Sequence, residues 1–242
     1  MHNRFYVPSF HFNTGKPCYC GSMRTFGQCC ASLAGERALP SAIKVVNDFI
    51  SPQQRRQLVA FAEKQKREWL TVVGNKKTVD GQRILKRHPN RVTERVQLSS
   101  MQREVSSWFE KGCREYLSAS TVPPQWYETP QLLRYGLGGK YGMHSDADSF
   151  CSEQQRFYRF IDRDFSMLIY LNDDYVGGEL EFKGLNFRYQ PKAGDLVIFP
   201  SNHIFSHESL PIISGTKYAL VTWGVFEGSP RVSSPRQTVS LQ

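Results

Sequence analysis

The sequence predicts an α+β fold, mainly β: a compact barrel or sandwich with helices on one side. Two amphipathic stretches precede Gln131, and beyond it the apolar pattern changes from helical spacing to short β-rich runs. Turn clusters at Asn172-Asp173-Asp174, Gly177-Gly178 and Gly194-Asp195 punctuate that second half. Many short strands behind two helices bury their apolar faces when the sheet closes or doubles and the helices cover one side.

The elements follow in order. Glu36–Pro40 reads as a linker into a short strand, Ala42–Val46. Ser51-Pro52 is an N-cap followed by proline in the first turn, opening a helix to about Leu70 with Leu58, Phe61, Ala62, Trp69 and Leu70 on its apolar side. Asn75–Asn90 is a polar, basic loop containing the turn dipeptide Asp80-Gly81. A second helix, Ser100–Ser118, gathers Met101, Val105, Trp108, Phe109, Cys113, Tyr116 and Leu117 on one face. Strands are expected at Gln131–Tyr135, Ser166–Asn172, Glu179–Phe182, Asn186–Tyr189, Asp195–Phe199 and Lys217–Phe226. Gly228–Gln242, rich in Ser and Pro, is expected to be a flexible tail. The chain shows no internal repeat.

A chain of 242 residues suits one large domain with a small appendage. Its longest apolar stretch, near Tyr218–Phe226, is well short of the roughly 18 residues a membrane helix needs. Met1–Asn13 has no apolar signal-peptide core, so a cytoplasmic protein without membrane contact is expected. The net charge is +9, and residues 51–100 hold twelve Lys and Arg against four acids. Such a segment favours acidic partners, whether nucleic acid, a ribosome or an acidic protein; a solvated helix face with a charged loop would look the same.

Four of the six cysteines, Cys18, Cys20, Cys29 and Cys30, fall within thirteen residues as two pairs around an eight-residue loop. Four thiolates brought together by one tight turn suit tetrahedral zinc, and a closed four-sulfur site leaves no position for catalysis. A disulfide cluster is the alternative, but reducing compartments keep thiols free. The spacing, with Gly21-Ser22 and Phe26, resembles the SEC-C type of zinc motif. That resemblance implies a module over residues 1–35 that contacts proteins or ribosomes. Cys113 and Cys151 stand apart, as buried small hydrophobes or unremarkable thiols.

His144-Ser145-Asp146 puts an imidazole and a carboxylate on one face of an extended segment. A distant second histidine would complete a two-His, one-carboxylate facial triad with three open positions, suited to iron(II), a bidentate 2-oxo acid and dioxygen. Alone, His-x-Asp discriminates poorly. Its surroundings discriminate better: Tyr135 and Tyr141 ahead of it, then Arg163-x-x-Ser166, Leu168-Ile169-Tyr170-Leu171-Asn172 and Gly177-Gly178-Glu179-Leu180. Pro191-x-x-Gly194-Asp195 leads to Phe199-Pro200, and His207 precedes Pro211, Ser214-Gly215 and Lys217-Tyr218.

Taken in order, these motifs resemble the prolyl 4-hydroxylase-like Fe(II)/2-oxoglutarate oxygenases over roughly Ile43–Phe226. The resemblance implies a double-stranded β-helix, the jelly-roll or cupin-like barrel, over residues 36–227. It implies iron on His144, Asp146 and His207, the far carboxylate of 2-oxoglutarate on Lys217 with Tyr135 sharing it, and Trp223 lining the cofactor pocket or packing in the core. The reaction it implies decarboxylates 2-oxoglutarate to succinate and hydroxylates a substrate C–H bond with dioxygen, ascorbate assisting. His203 competes with His207, but the ten-residue step to Lys217 and the following Pro211 favour His207. Leu180 stands where the family often has Thr. The carboxylate of Asp146 favours hydroxylation over halogenation, which needs a small residue there. The leading expectation is a protein prolyl hydroxylase with an acidic or ribosome-associated substrate. Hydroxylation of a free amino acid or other small molecule, nucleic-acid demethylation and a non-enzymatic adaptor are the alternatives.

Overall fold

The computed structural model describes residues 28, 42–70, 72–77, 83–86, 89–117, 123–232 and 238–241. Cys18, Cys20, Cys29 and Cys30 lie outside the described residues, as does Asp80-Gly81.

The chain begins with β1 (Lys44–Val46) and α1 (Pro52–Glu63), followed by β2 (Arg67–Trp69), β3 (Val72–Lys77), β4 (Arg83–Lys86), β5 (Arg91–Val92) and β6 (Glu94–Val96). A 3-10 turn leads into α2 (Gln102–Tyr116). The β-rich half follows with β7 (Pro124–Glu128), β8 (Gln131–Tyr135), β9 (Lys140–His144), β10 (Asp148–Cys151), β11 (Arg156–Arg159) and β12 (Phe165–Tyr170). Then come β13 (Val176–Gly177), β14 (Leu180–Phe182), β15 (Phe187–Tyr189), β16 (Leu196–Pro200), β17 (His207–Ser209), β18 (Ile212–Ser214), β19 (Lys217–Phe226) and β20 (Thr238–Ser240).

Two antiparallel sheets face each other. The larger runs β1-β16-β12-β19-β8-β6-β2, with β7 and β20 added beside the far half of β19. The smaller runs β15-β14-β17-β9-β5. Strand alternation sorts the larger sheet's side chains between two environments. Met167, Ile169, Leu196, Ile198 and Leu220 face one core, with Leu58 and Ala62 of α1 and Val105, Trp108, Phe109 and Cys113 of α2. Tyr170, Val197, Phe199 and Ala219 face the smaller sheet, packing with Leu180, Phe182 and Phe205. Because both faces of β12, β16 and β19 are covered, these strands read as nearly continuous apolar runs. A polar side chain on the inner face therefore marks a site.

Ser51 caps α1 as expected: its hydroxyl accepts from the Gln54 amide, and the Gln54 side chain accepts from the Ser51 amide. The helix ends at Glu63 rather than near Leu70. Trp69 and Leu70 keep helical spacing, but ladder pairing of Arg67–Trp69 with Glu94–Val96 outweighs that local preference and leaves Trp69 exposed. Within the expected loop at Asn75–Asn90, β4 instead pairs with β3 as a hairpin. The expected flexible tail carries β20, which pairs with β7 while Val239 and Leu241 pack on the helix-side core. No helix among the described residues is long and apolar enough to cross a membrane.

Candidate active site

His144 ends β9 and His207 begins β17, and the two stand opposite each other in the small sheet. Their rings are 4.4 Å apart between centroids. Asp146, two residues past β9, brings Oδ1 to 3.5 Å from His144 Nε2 and Oδ2 to 3.7 Å from His207 Nε2. Among the described residues, this is the one group of three or more His, Cys, Asp and Glu arranged to hold a metal ion, with ligand atoms within 4.8 Å of one another.

Each imidazole is aimed by its other nitrogen. His144 Nδ1 lies 2.9 Å from the Gly142 carbonyl and His207 Nδ1 lies 3.0 Å from that of Phe205. A carbonyl only accepts, so both Nδ1 atoms donate and both Nε2 atoms face the shared point. Burial, then the neighbouring His144, lowers the His207 pKa to about 4, so the ring is neutral and ready to ligate near neutral pH. Burial opposes ionisation of Asp146, but the His207 and His144 imidazoles and Arg163 outweigh it and hold the carboxyl well below the usual range.

The chain around Asp146 is clamped. Arg163 donates Nη1 to the Asp146 carbonyl at 3.2 Å. It also makes a bidentate pair with Glu128, at 2.5 and 2.8 Å, and its guanidinium lies 3.6 Å from the Trp223 ring. Tyr141 stacks on His144 at 3.6 Å, under the Arg91 guanidinium.

Lys217 is 2 % exposed at the start of β19. Its ammonium donates to the Gly178 carbonyl at 2.6 Å and to Ser209 Oγ at 3.0 Å. It lies 5.2 Å from the ring centres of both Tyr135 and Tyr170. Desolvation lowers its pKa to about 7, with Glu179 opposing. Gly178 has φ +70°, and a Cβ there would lie 2.5 Å from Ile212 and 3.2 Å from Lys217 Cδ, so this approach requires glycine.

One cavity joins these groups. Its walls include His144, Asp146, His207, Lys217, Tyr135, Trp223, Tyr170, Ser209, Leu180, Leu168, Arg91 and Tyr141. All six residues that the sequence assigns to iron or 2-oxoglutarate therefore line a single space. The cavity also fits a polar occupant: the Tyr170 hydroxyl, Trp223 indole nitrogen and Arg91 Nε are buried there without hydrogen-bond partners. An open cleft of about 550 Å³ beside Glu68, Arg95, Gln102 and Gln131 holds none of the six. Size does not locate the chemistry here.

His203 is not part of the triad. It sits in the 3-10 turn before β17, with its Nδ1 2.7 Å from Asp148 Oδ2 and its ring stacked on Phe157 at 4.2 Å. Sequence reasoning assigned no role to Arg163, Glu128, Ser166, Ser201, Arg91 or Tyr141. Arg163, Ser166 and Tyr141 lay within recognised motifs. Glu128 and Ser201 carried no local signal, because their partners are distant in sequence.

Comparison with known proteins agrees with this geometry. The profile of the 2OG-Fe(II) oxygenase superfamily matches residues 130–224. A putative prolyl 4-hydroxylase of Acanthamoeba polyphaga mimivirus is 30% identical over 192 residues, covering 74% of this chain and 72% of that protein. The fold is similar to that of the viral collagen prolyl hydroxylase of Paramecium Bursaria Chlorella virus-1, solved with 2OG: TM-score 0.52, 20% identity, 79% of this chain and 97% of that one. It is also similar to a Trichoplax adhaerens prolyl hydroxylase solved with a hypoxia inducible factor peptide fragment: TM-score 0.55, 16% identity, 83% and 89% coverage. The double-stranded β-helix expected from the sequence is thus the observed architecture, and the chain belongs to the 2OG-Fe(II) oxygenase superfamily, as an iron(II)- and 2-oxoglutarate-dependent dioxygenase with prolyl 4-hydroxylase-like relatives.

Proposed function

We propose that this dioxygenase hydroxylates a prolyl residue in a protein substrate, with iron held by His144, Asp146 and His207 and 2-oxoglutarate anchored by Lys217. The observation that carries the reading is the single cavity with a two-His, one-carboxylate group and a buried lysine in its walls. The prolyl assignment draws on the mimivirus relative, named a putative prolyl 4-hydroxylase, and on the peptide held by the Trichoplax protein.

Iron(II) at such a triad, with 2-oxoglutarate and dioxygen, supplies the oxidising chemistry for C–H hydroxylation. The chain's own residues prepare the site. The neutral His207 imidazole, the His144 imidazole beside it and an ionised Asp146 carboxylate present one face of donors. Lys217, as a cation, meets the far carboxylate in a space from which Tyr135, Tyr170 and Leu180 exclude water, with Tyr135 positioned to share the contact. Trp223, held flat by Arg163, walls the same space.

A cell extract incubated with the protein, iron(II), 2-oxoglutarate and ascorbate should yield peptides gaining one oxygen on proline. His207→Ala protein should yield none. Succinate without modified peptides would move the substrate to a small molecule or nucleic acid.

The reading extends to an acidic or ribosome-associated substrate. The Asn90 carbonyl, at the end of the basic stretch, accepts from the Gly142 amide in the histidine-bearing strand at 2.6 Å, and that contact supports the reading. Charge reversal at Lys76, Lys77, Lys86 and Arg87 should weaken substrate capture by about tenfold or more while leaving uncoupled 2-oxoglutarate turnover intact. Equal loss of both would refute this placement.

For residues 1–35, the proposal is a SEC-C-like module in which Cys18, Cys20, Cys29 and Cys30 hold structural zinc, ahead of an oxygenase domain over 36–227 in a reducing cytoplasm. Native mass spectrometry should find one zinc per chain, lost in the Cys18→Ser, Cys20→Ser double variant. Zinc-free wild-type protein would overturn it.

A further inference from the structure

We propose that Ser166, backed by Ser201, is a positioning residue that keeps the Asp146 carboxylate monodentate and so preserves the coordination position at which dioxygen binds. The inference rests on the ligand reading above.

Ser166 lies near the start of β12, between Phe165 and Met167, in an interior strand of the larger sheet. It is 0 % exposed, and a buried hydroxyl there is unfavourable unless it is bonded. Its Oγ lies 2.6 Å from Asp146 Oδ2 and 2.8 Å from Ser201 Oγ. An ionised carboxylate only accepts, so Ser166 gives its one proton to Asp146. Ser201 must then be the donor to Ser166, making a directed chain of two hydroxyls that ends on the carboxylate. Each bond polarises the next.

Ser201 is held in turn. Its carbonyl accepts from Ser145 Oγ at 3.1 Å and from the Ala147 amide at 2.9 Å, so the segment before His207 is stitched to both neighbours of Asp146. With Arg163 on its main-chain carbonyl and Ser166 on Oδ2, Asp146 has little freedom to turn.

The consequence follows from counting positions. Two imidazoles and one carboxylate oxygen would fill three of about six positions around a bound iron, and a chelating 2-oxo acid would take two more. A carboxylate binding through both oxygens would take the last. A hydrogen bond that engages Oδ2 opposes that mode and leaves Oδ1 as the ligand atom.

The test uses manganese(II), whose exchangeable water is counted by water-proton relaxation, on the full chain with 2-oxoglutarate bound. Wild-type protein should retain the enhancement of one open position, and Ser166→Ala should lose most of it. Its 2-oxoglutarate affinity should stay within about threefold, while turnover at limiting dioxygen falls by about 10- to 100-fold. Ser166→Thr, which keeps the hydroxyl, should restore the enhancement, and Ser201→Ala should reduce it partially. Wild-type relaxation in Ser166→Ala would overturn the proposal. His207→Ala separates the two layers: if it binds manganese as tightly as wild type, the ligand reading fails. If it loses the metal while Ser166→Ala is unchanged, only the serine proposal fails.

Discussion

Lys217→Ala is expected to raise the 2-oxoglutarate concentration for half-maximal succinate formation by between about 30-fold and several thousand-fold. Loss of one partner from a buried, hydrogen-bonded charge pair costs roughly 2–5 kcal/mol, and about 1.4 kcal/mol is a factor of ten. The full effect is expected because Lys217 is buried and, among the described residues, has no acidic side chain bonded to it. Its ammonium donates to a backbone carbonyl and a hydroxyl. The same burial predicts a pH dependence. With a free-state pKa near 7, Lys217 is largely neutral above that pH and must take up a proton to meet a carboxylate. Affinity should therefore be level below about pH 7 and fall by up to about tenfold per pH unit above it, until the bound-state pKa is reached. Isothermal titration in buffers of differing ionisation heat would register the proton uptake. A pH-independent affinity, or a Lys217→Ala enzyme with unchanged demand for 2-oxoglutarate, would remove Lys217 from the cofactor site.

His207→Ala should abolish iron-dependent succinate formation, by more than the roughly 100-fold that loss of an outer-shell partner can cost. His203→Ala should remain within about tenfold of wild type. The contrast matters because the histidines are four residues apart and similarly placed in the sequence. Their environments differ. The Nε2 of His207 faces Asp146 and His144, and its ring is walled by Phe199 and Phe182 at 4.8 and 5.6 Å. His203 has its Nδ1 on Asp148 and its ring on Phe157. Iron titration of both variants checks the assignment, and the opposite ranking would exchange their roles.

By itself the sequence, through the family resemblance of its ordered motifs, pointed to the candidate site, whose main groups are close together along the chain or related by strand periodicity. His144 and Asp146 are two residues apart at the end of one extended strand. Lys217, Ala219, Val221 and Trp223 alternate along β19, and Leu133 and Tyr135 along β8, so each set must share a face. Local spacing alone puts each set on one face, while their roles came from the resemblance. The basic residue ten places after His207, with Pro211 following, also favours it over His203 in the sequence.

Other features depended on which distant segments pair. Arg67–Trp69 has helical spacing yet lies in a strand, because β6 offers it a ladder. Thr238–Ser240 has the composition of a loose tail yet adds to β7. Arg163 meets Glu128 across 35 residues, and Ser166 meets Ser201 across another 35. Nothing in the local period of either segment announces those partners. Strand order in the sheets brings them together, and it follows from burying both faces of the larger sheet at once. The tertiary structure therefore decided how Asp146 is held, while the sequence had already determined that it would be a ligand candidate.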